Sequence, residues 1–201
     1  MQLRSDIYQL ELVPLDWEHF STLEKICQDD GLAEVLYNSV PYVHQLESYF
    51  NLAFEQRDQG SRIPFAVIDL QSNQVIGTTS CYDIQQNVPR LDIGYTWYAK
   101  AYQRSYVNRV CKYLLLQHAF ESMQMKAVGL RTDHLNTASQ KAIEGIGAKL
   151  DGVLRCHMLR KDGQTLRDSY VYSILQNEWP EVRTLLQAKI LKYAAQQNFE
   201  I

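Results

Sequence analysis

Hydrophobic and polar positions follow two different periods along this chain. In seven segments apolar residues alternate with polar ones or form short continuous runs, a pattern typical of β-strands. These segments are residues 7–13, 63–70, 75–84, 91–98, 127–132, 150–159 and 166–175. Apolar residues three or four positions apart indicate helices at residues 17–27, 42–57, 109–123, 138–146 and 179–196.

Turn and cap residues separate these segments. Asp16 precedes the first helix and can cap it, Gly147 ends the fourth helix, and Asp162-Gly163 supplies a tight turn between the last two strands. The resulting order of strands and helices predicts an α/β fold, in which a central mixed sheet is flanked by helices. Residues 91–132 form a strand–helix–strand unit, whose strands we expect to be parallel with a right-handed crossover. No repeat or linker interrupts residues 1–201, which predicts a single domain.

Size and charge exclude several classes of protein. The 201 residues are 46% hydrophobic, and a domain of this length buries roughly 70% of its unfolded surface without a metal or disulfide. A formal charge of −3 argues against a nucleic-acid partner, because general nucleic-acid binders need a basic face. The basic residues of the last hairpin are expected to form a solvated face: Arg155, His157, Arg160, Lys161 and Arg167.

No targeting or metal-binding pattern stands out. The N-terminus lacks the apolar core of a signal peptide, and no run approaches the ~20 apolar residues that cross a bilayer. We therefore expect a cytoplasmic protein without membrane contact. The cysteines form no Cys-x-x-Cys pair, so reduced thiols and no bound metal are expected at Cys27, Cys81, Cys111 and Cys156.

The junction at residues 103–108 carries the first candidate chemistry. It joins a predicted strand to a predicted helix, and such a junction directs unpaired backbone N–H groups and the positive end of the helix dipole at one point. Arg104 and Arg109 add charge beside the turn. An anion site and an ordinary connection with solvated arginines are both compatible with this pattern.

Several segments around this junction resemble the GNAT N-acetyltransferases, and in particular the branch that contains the ribosomal-protein N-terminal (alanine/serine) acetyltransferases. The segments are residues 93–97 (IGYTW), 107–108 (VN), 112–121 (KYLLLQHAFE), 130–139 (LRTDHLNTAS), 152–155 (GVLR) and 178–180 (EWP). The resemblance implies a GNAT-like acyl-CoA N-acyltransferase fold. It also implies transfer of the acetyl group of acetyl-CoA to a primary amine, either a protein N-terminus or a small amine, by direct attack in a ternary complex.

The resemblance also implies which residues bind the coenzyme. The junction loop would hold the pyrophosphate, the end of the preceding strand would pair with the pantetheine arm, and Asn136 would bond to the pantetheine region. These residues are Trp97, Tyr98, Ala99, Gln103, Arg104, Ser105, Tyr106, Val107, Asn108, Arg109 and Asn136. Lys112 is a further candidate for the phosphates. Asn136 is equally compatible with a plain helix cap.

The loop departs from the pattern of the family. Family members usually carry small residues there, with glycine at the fourth position, whereas this chain has Arg104, Ser105 and Tyr106. Glycine permits a close approach of backbone to ligand. Binding at this loop is therefore expected to depend more on backbone donors and arginine charge.

Two residues are candidates for proton transfer. Asp92 matches an acidic position on the central strand of the family and is the candidate base, with Asp133 and His134 as alternatives. Many relatives protonate the leaving thiolate with a tyrosine seven residues after the asparagine, but this chain has Ile143 there. Ser139 becomes the candidate for that role, although a helix-surface serine without a role is also compatible.

The altered loop and Ile143 keep a second class of function open, a non-catalytic acyl-CoA-binding or interaction module on the same fold. The sequence does not identify the acceptor amine. A homodimer is compatible with the resemblance, because related enzymes are often dimers.

Overall fold

A single twisted sheet runs through the molecule. The computed structural model describes residues 2–5 and 7–196, so residues 1, 6 and 197–201 of the predicted domain lie outside the described part. The strands are β1 Leu3–Ser5, β2 Leu10–Pro14, β3 Arg62–Asp69, β4 Gln74–Gln85, β5 Arg90–Tyr98, β6 Ala127–Asp133, β7 Lys149–Leu159 and β8 Leu166–Leu175. Their spatial order is β1-β2-β3-β4-β5-β6-β8-β7, and only β5 and β6 are parallel. The mixed sheet and this parallel pair were predicted from the sequence.

Five α-helices flank the sheet: α1 Phe20–Gln28, α2 Leu46–Asp58, α3 Val107–Gln117, α4 Thr137–Gly145 and α5 Trp179–Gln196. A 3₁₀ turn at Trp17–His19 precedes α1, and the Asp16 side chain accepts a hydrogen bond from the Trp17 amide at 2.6 Å. The predicted cap is therefore confirmed. The helix predicted at residues 109–123 begins earlier, at Val107, and its last turn is a π-helix at His118–Ser122.

The first predicted strand is wrong in extent. Residues 7–13 are not one strand, because a turn separates β1 from β2, which starts at Leu10. The prediction missed β1 because three residues are too few to show a period. The sheet therefore has eight strands in the described part of the chain rather than seven.

The two faces of the sheet bury different cores. On one face, α3 and α5 pack over the central strands through residues such as Leu91, Ile93, Leu115 and Leu186. On the other face, α1 and α2 cover Ala66 and Trp97 with residues that include Leu23 and Phe50. No described residue of β6, β7 or β8 belongs to this second core. That face of the later strands is therefore available for polar side chains.

A bulge in β5 bends this strand where it separates from its parallel neighbour β6. Thr78 of β4 lies opposite Trp97, yet Ser80 lies opposite Gly94, so β5 has one extra residue between these pairs. Tyr95 takes up this extra residue with φ 51°, and such a bulge bends a strand. β5 pairs with β6 at three positions that end at Asp92 and Gly129. Beyond them the strands diverge, leaving a wedge between residues 93–98 of β5 and 130–133 of β6.

Candidate active site

The wedge presents two unpaired strand edges to each other. β6 continues to pair with β8 as far as Asp133, but its other edge has no partner in the described chain after Gly129. The facing edge of β5 is equally unpaired after Asp92. Unpaired backbone N–H and C=O groups readily bond to an extended amide-bearing ligand, as in the addition of a peptide to a sheet edge. The wedge can therefore accept such a ligand.

The predicted strand residues at the wedge divide between the two faces of the sheet. Trp97 and Ala99 pack with the α1–α2 core, whereas Tyr98 is buried in the other core. The Ala99 amide donates to the Ile76 carbonyl at 2.9 Å on the β4 side. Neither aromatic side chain lies open to solvent, since Trp97 is 4% and Tyr98 6% exposed. Any contact of this segment with a ligand in the wedge is therefore made by backbone.

The junction loop follows β5 and leads into α3. Gln103 donates to the Tyr98 carbonyl at 3.1 Å, and the Ser105 hydroxyl donates to the Tyr102 carbonyl at 2.6 Å. Ser105 Oγ also accepts from the Val107 amide at 3.2 Å. Arg104 is exposed and adopts φ 57°, a left-handed conformation that favours glycine. Side-chain bonds thus hold the loop in place of the glycines that are usual in the family.

The start of α3 retains free donors. The amides of Asn108 and Arg109 lie in the first turn, where a helix offers no acceptor. Within the described ranges no carboxylate pairs with Arg104 or Arg109. Backbone donors, the helix dipole and two arginines therefore converge at this end of the wedge, which suits a phosphate group.

Tyr106 is directed into the protein rather than over the loop. Its ring stacks on Tyr8, with centroids 4.2 Å apart and an interplanar angle of 18°, and lies 5.8 Å from the ring of Tyr193. The bulky side chain at the usual glycine position therefore contributes to packing between the loop, the β1–β2 turn and α5.

Lys112 does not lie at the phosphate end. Its side chain is buried, and Nζ donates to Thr96 Oγ1 at 2.9 Å. Thr96 Oγ1 also lies 2.7 Å from Thr79 Oγ1 and donates to the Gly94 carbonyl at 3.2 Å. Burial lowers the pKa of Lys112 to about 8. Lys112 is therefore not placed to contact a phosphate as expected. It belongs to a hydrogen-bond network that connects Gly94 and Thr96, the residues on either side of the β5 bulge.

Asn136 caps α4. Its Oδ1 accepts from the Ser139 amide at 3.0 Å, and the Asn136 amide donates to the Asp133 carbonyl at 2.9 Å. The cap occupies the side-chain oxygen, so the Nδ2 donor remains available beside the open end of the wedge. Ser139 is half-buried in the first turn of α4, and its hydroxyl makes no hydrogen bond to another described residue.

Asp92 lies at the closed end of the wedge with no exposed surface. Its carboxylate is 2.8 Å from Arg131 Nε and 3.5 Å from Arg90 Nη2, although neither oxygen accepts a well-directed hydrogen bond. Burial raises the pKa of this carboxyl, and the two arginines partly oppose the shift. A Cβ on Gly129 would lie 2.1 Å from Asp92 Oδ1, so glycine makes room for the acid.

The two alternative bases are placed differently. Asp133 ends β6 and is held by Arg160 through contacts of 2.8 and 3.3 Å and by the Leu135 amide at 2.9 Å. Although burial acts the other way, these hydrogen bonds lower the pKa of Asp133. His134 Nδ1 lies 3.4 Å from Asp133 Oδ1. An acid fixed in this way is a weak proton acceptor, which leaves Asp92 as the better placed carboxylate.

Most basic residues of the last hairpin bond to other groups of the protein, so the prediction that they form a solvated face is wrong for these residues. Arg160 pairs with Asp133, and Lys161 Nζ donates to Ala33 O, Asn38 Oδ1 and Val40 O at 2.6, 3.0 and 2.8 Å. The pairs join residues more than 25 positions apart, so local sequence carries no signal for them. Only Arg155 of this group is exposed.

A cavity that the sequence did not predict lies on the face of the sheet that carries Arg131. It has a volume of about 360 Å³ and is lined by Gln56, Ser61, Tyr82, Asp83 and Arg131. The alternation of Gly129, Arg131 and Asp133 on one face of β6 is the signal that could have revealed a polar surface there.

Comparison with known proteins identifies the family of this fold. Residues 9–149 match the acetyltransferase (GNAT) domain family. The chain belongs to the GNAT acetyltransferases. It is similar to the uncharacterized N-acetyltransferase p20 of Bacillus licheniformis, with 25% identity over 85% of this chain and 95% of that protein. Membership makes the protein an acetyl-CoA-dependent acetyltransferase.

Solved GNAT structures share its fold. A GCN5-related N-acetyltransferase from Brucella melitensis superposes with a TM-score of 0.83 at 22% identity, covering 94% of this chain and 85% of that one. RimJ of Mycobacterium smegmatis, solved in complex with CoA-disulfide, superposes with a TM-score of 0.78 at 18% identity, covering 94% and 93%.

Two features are absent from the described residues. None of their histidine, cysteine, aspartate and glutamate side chains form a group of three or more that could hold a metal ion. No helix in residues 2–5 and 7–196 is long and apolar enough to cross a membrane.

Proposed function

We propose that this GNAT enzyme transfers the acetyl group of acetyl-CoA to a primary amine, a protein N-terminus or a small amine, by direct attack in a ternary complex. The wedge between β5 and β6 carries the proposal. It offers unpaired backbone at its edges and, at its open end, a junction whose backbone donors and arginines suit a phosphate, and the cavity on the adjoining face has space for an acceptor. A thioester in the wedge and an amine from that face can therefore meet without a covalent enzyme intermediate.

The coenzyme would be held by residues at three points. The loop from Gln103 to Arg109 would bind the pyrophosphate through backbone N–H groups and the two arginines. The backbone of Trp97, Tyr98 and their neighbours would pair with the pantetheine amides. Asn136 would donate its free Nδ2 to the same arm. The CoA-disulfide complex of RimJ, a protein with the same fold, supports a CoA site in this chain.

The chemistry needs one proton removed and one supplied. The acetyl thioester of the coenzyme is the acyl donor: the amine nitrogen forms a bond to the carbonyl carbon, the C–S bond breaks, and the sulfur leaves as thiolate. We assign the acceptance of the amine proton to Asp92, whose raised pKa makes it a stronger base than an exposed aspartate. Because Asp92 is buried, the proton would reach it through a relay. Ser139, on the first turn of α4, would protonate the thiolate.

We infer that residues 1–201 form one acetyltransferase domain. The family match ends at residue 149, but β8 pairs with β6 along seven positions and β7 completes the sheet. The last hairpin is thus part of the same sheet as the coenzyme wedge.

Binding and initial-rate measurements test the proposal. Titration calorimetry should show micromolar binding of acetyl-CoA. CoA release in the presence of a panel of small amines and N-terminal peptides, with products read by mass spectrometry, should identify an N-acetylated acceptor. Initial rates with both substrates varied should give intersecting reciprocal plots. Parallel plots, or an acetylated enzyme formed without acceptor, would contradict direct attack.

A further inference from the structure

Arg167 lies on β8, the strand that pairs with β6 beside the wedge. Its Nε donates to Ser169 Oγ at 2.9 Å, and His157 Nδ1 contacts the same hydroxyl at 3.1 Å. Ser169 is fully buried and lies opposite Asp133 in the β6–β8 ladder. Asp133 and Tyr82 both act electrostatically on the Arg167 guanidinium, and Tyr82 lines the cavity on this face, so Arg167 lies on the side from which an acceptor amine would enter.

The acids around Arg167 already have other partners. Arg131 contacts both Asp83, at 3.1 Å, and Asp92, at 2.8 Å. Asp133 is paired with Arg160 at 2.8 Å. Over the described part of the chain no carboxylate lies within ion-pair distance of Arg167, and no acceptor is bonded to its two terminal nitrogens.

The partial burial of Arg167 lowers the stability of the fold unless an anion pairs with its guanidinium. Its side chain is half-buried, and burial lowers its pKa, although a guanidinium stays charged at any ordinary pH. The acid that acts on it, Asp133, is already paired with Arg160. A partly desolvated cation without an ion pair of its own is unfavourable, and an incoming anion regains the lost interaction. Two N–H groups in a planar fork suit a carboxylate, which can accept both.

The surroundings hold Arg167 in place and leave room for a ligand. The turn of its hairpin is fastened to the segment between α1 and α2 by Lys161, through three hydrogen bonds. Tyr82, one of the groups that act on the pKa of Arg167, also lines the cavity of about 360 Å³ on this face. A fixed cation next to a cavity binds with little ordering cost.

We infer that Arg167 binds a carboxylate of the acceptor, so that the substrates of this enzyme are primary amines that also carry a carboxylate. The inference rests on the proposed function and narrows its acceptor class. The carboxylate can belong to a free amino acid or to an acidic side chain near a peptide N-terminus, and in both cases the recognised group is the same.

Paired acceptors with and without the carboxylate test this inference. One pair is L-serine and L-serinamide, and the other is C-terminally amidated Ser-Glu-Ala and Ser-Gln-Ala. In at least one pair the acid should have a kcat/KM about tenfold or more above that of the amide, as expected for a charge-assisted hydrogen bond. Arg167→Gln should lower the acid to the level of the amide through KM, and Arg167→Lys should retain part of the preference.

Arg155→Gln is the matched control, since Arg155 is an exposed arginine on the neighbouring strand. It should preserve the preference, and all variants should bind acetyl-CoA as the wild type does. If no probe is acetylated, calorimetry with the same pairs in the presence of CoA replaces turnover, and equal affinities overturn the inference. Acetylation of both members of each pair at equal rates overturns the inference and leaves the proposed function standing. An equal loss for both members in Arg167→Gln, with the acid still preferred, overturns the role of Arg167. Failure to bind acetyl-CoA overturns the proposed function as a whole.

Discussion

The ring of Tyr106 stacks on the ring of Tyr8 at a centroid distance of 4.2 Å. Tyr8 is itself buried, and its hydroxyl donates to the Ile190 carbonyl of α5 at 2.6 Å. The position where GNAT proteins usually have glycine therefore links the junction loop to the turn between β1 and β2 and to α5 in this chain. Packing of this ring and the side-chain hydrogen bonds of Gln103 and Ser105 together hold the loop.

Replacing Tyr106 should destabilise the protein. Tyr106→Ala removes the ring from this stack and should lower the unfolding free energy by about 2 kcal/mol. Tyr106→Phe keeps the ring and should retain most of the stability. Denaturant unfolding measures the stability of both variants, and calorimetry measures how strongly each variant binds acetyl-CoA. Equal stability of the alanine variant and the wild type would show that the stack contributes nothing.

Substitutions of Asn136 should separate its two proposed roles, the cap of α4 and the contact with acetyl-CoA. Asn136→Ala removes the cap of α4 and should cost about 1 kcal/mol. Asn136→Ser keeps a capping oxygen but lacks the amide donor, so it should preserve stability and still weaken acetyl-CoA binding. Thermal unfolding and calorimetry measure the two effects. Wild-type affinity in the serine variant would reduce Asn136 to a cap.

Ser139→Ala tests the thiolate proton donor cleanly. The bond to Asn136 uses the Ser139 backbone amide, so the substitution leaves the cap intact. We expect an unchanged unfolding free energy and a fall of about tenfold or more in the single-turnover rate. Acetyl-CoA affinity is the control, and an unaltered rate would make Ser139 a helix-surface residue.

Asp92→Asn tests the proposed base. It should lower kcat by about a hundredfold. Since burial raises the pKa of Asp92, the acidic limb of the wild-type kcat/KM profile should lie above the ordinary range of an aspartate and should vanish in the variant. Asp151→Asn is the control, because Asp151 is an exposed aspartate on the edge strand β7, away from the wedge. An acidic limb that survives in Asp92→Asn assigns the base elsewhere.

Lys112 should make stability depend on pH. Its folded pKa is about 8, below the unfolded value of about 10.4, so between these values the unfolded chain binds one more proton and stability rises with pH. Relative to Lys112→Met, the wild type should gain about 1.4 kcal/mol per pH unit across this window. The neighbouring thiols of Cys81 and Cys111 stay neutral there, because burial raises the pKa of each to about 12.

Denaturant unfolding at several pH values measures this difference. Lys112→Arg serves as the control, since an arginine keeps its charge and should show no such gain relative to Lys112→Met. Parallel stability profiles for the wild type and Lys112→Met would contradict a lysine that loses its proton in the fold.

The predictable part of this fold is local. The helical period of apolar residues predicted all five α-helices of the described chain. Asp16 and Asn136 could be predicted as caps because a cap depends on residues within one turn. The short strand β1 escaped because its three residues carry no period. The bulge at Tyr95 escaped because it depends on how β5 aligns with β4, which no single segment encodes.

By itself the sequence determined the order of strands and helices, the parallel pair at the centre and the family. The sequence could not decide which partner each charged side chain would have. Arg160 pairs with Asp133 and Lys112 turns toward Thr96 because sheet register and helix packing bring these groups together across long stretches of chain. For the same reason Arg167 forms no ion pair with a carboxylate of the described residues. Burial and pairing depend on contacts distant in sequence, so only the tertiary structure shows them.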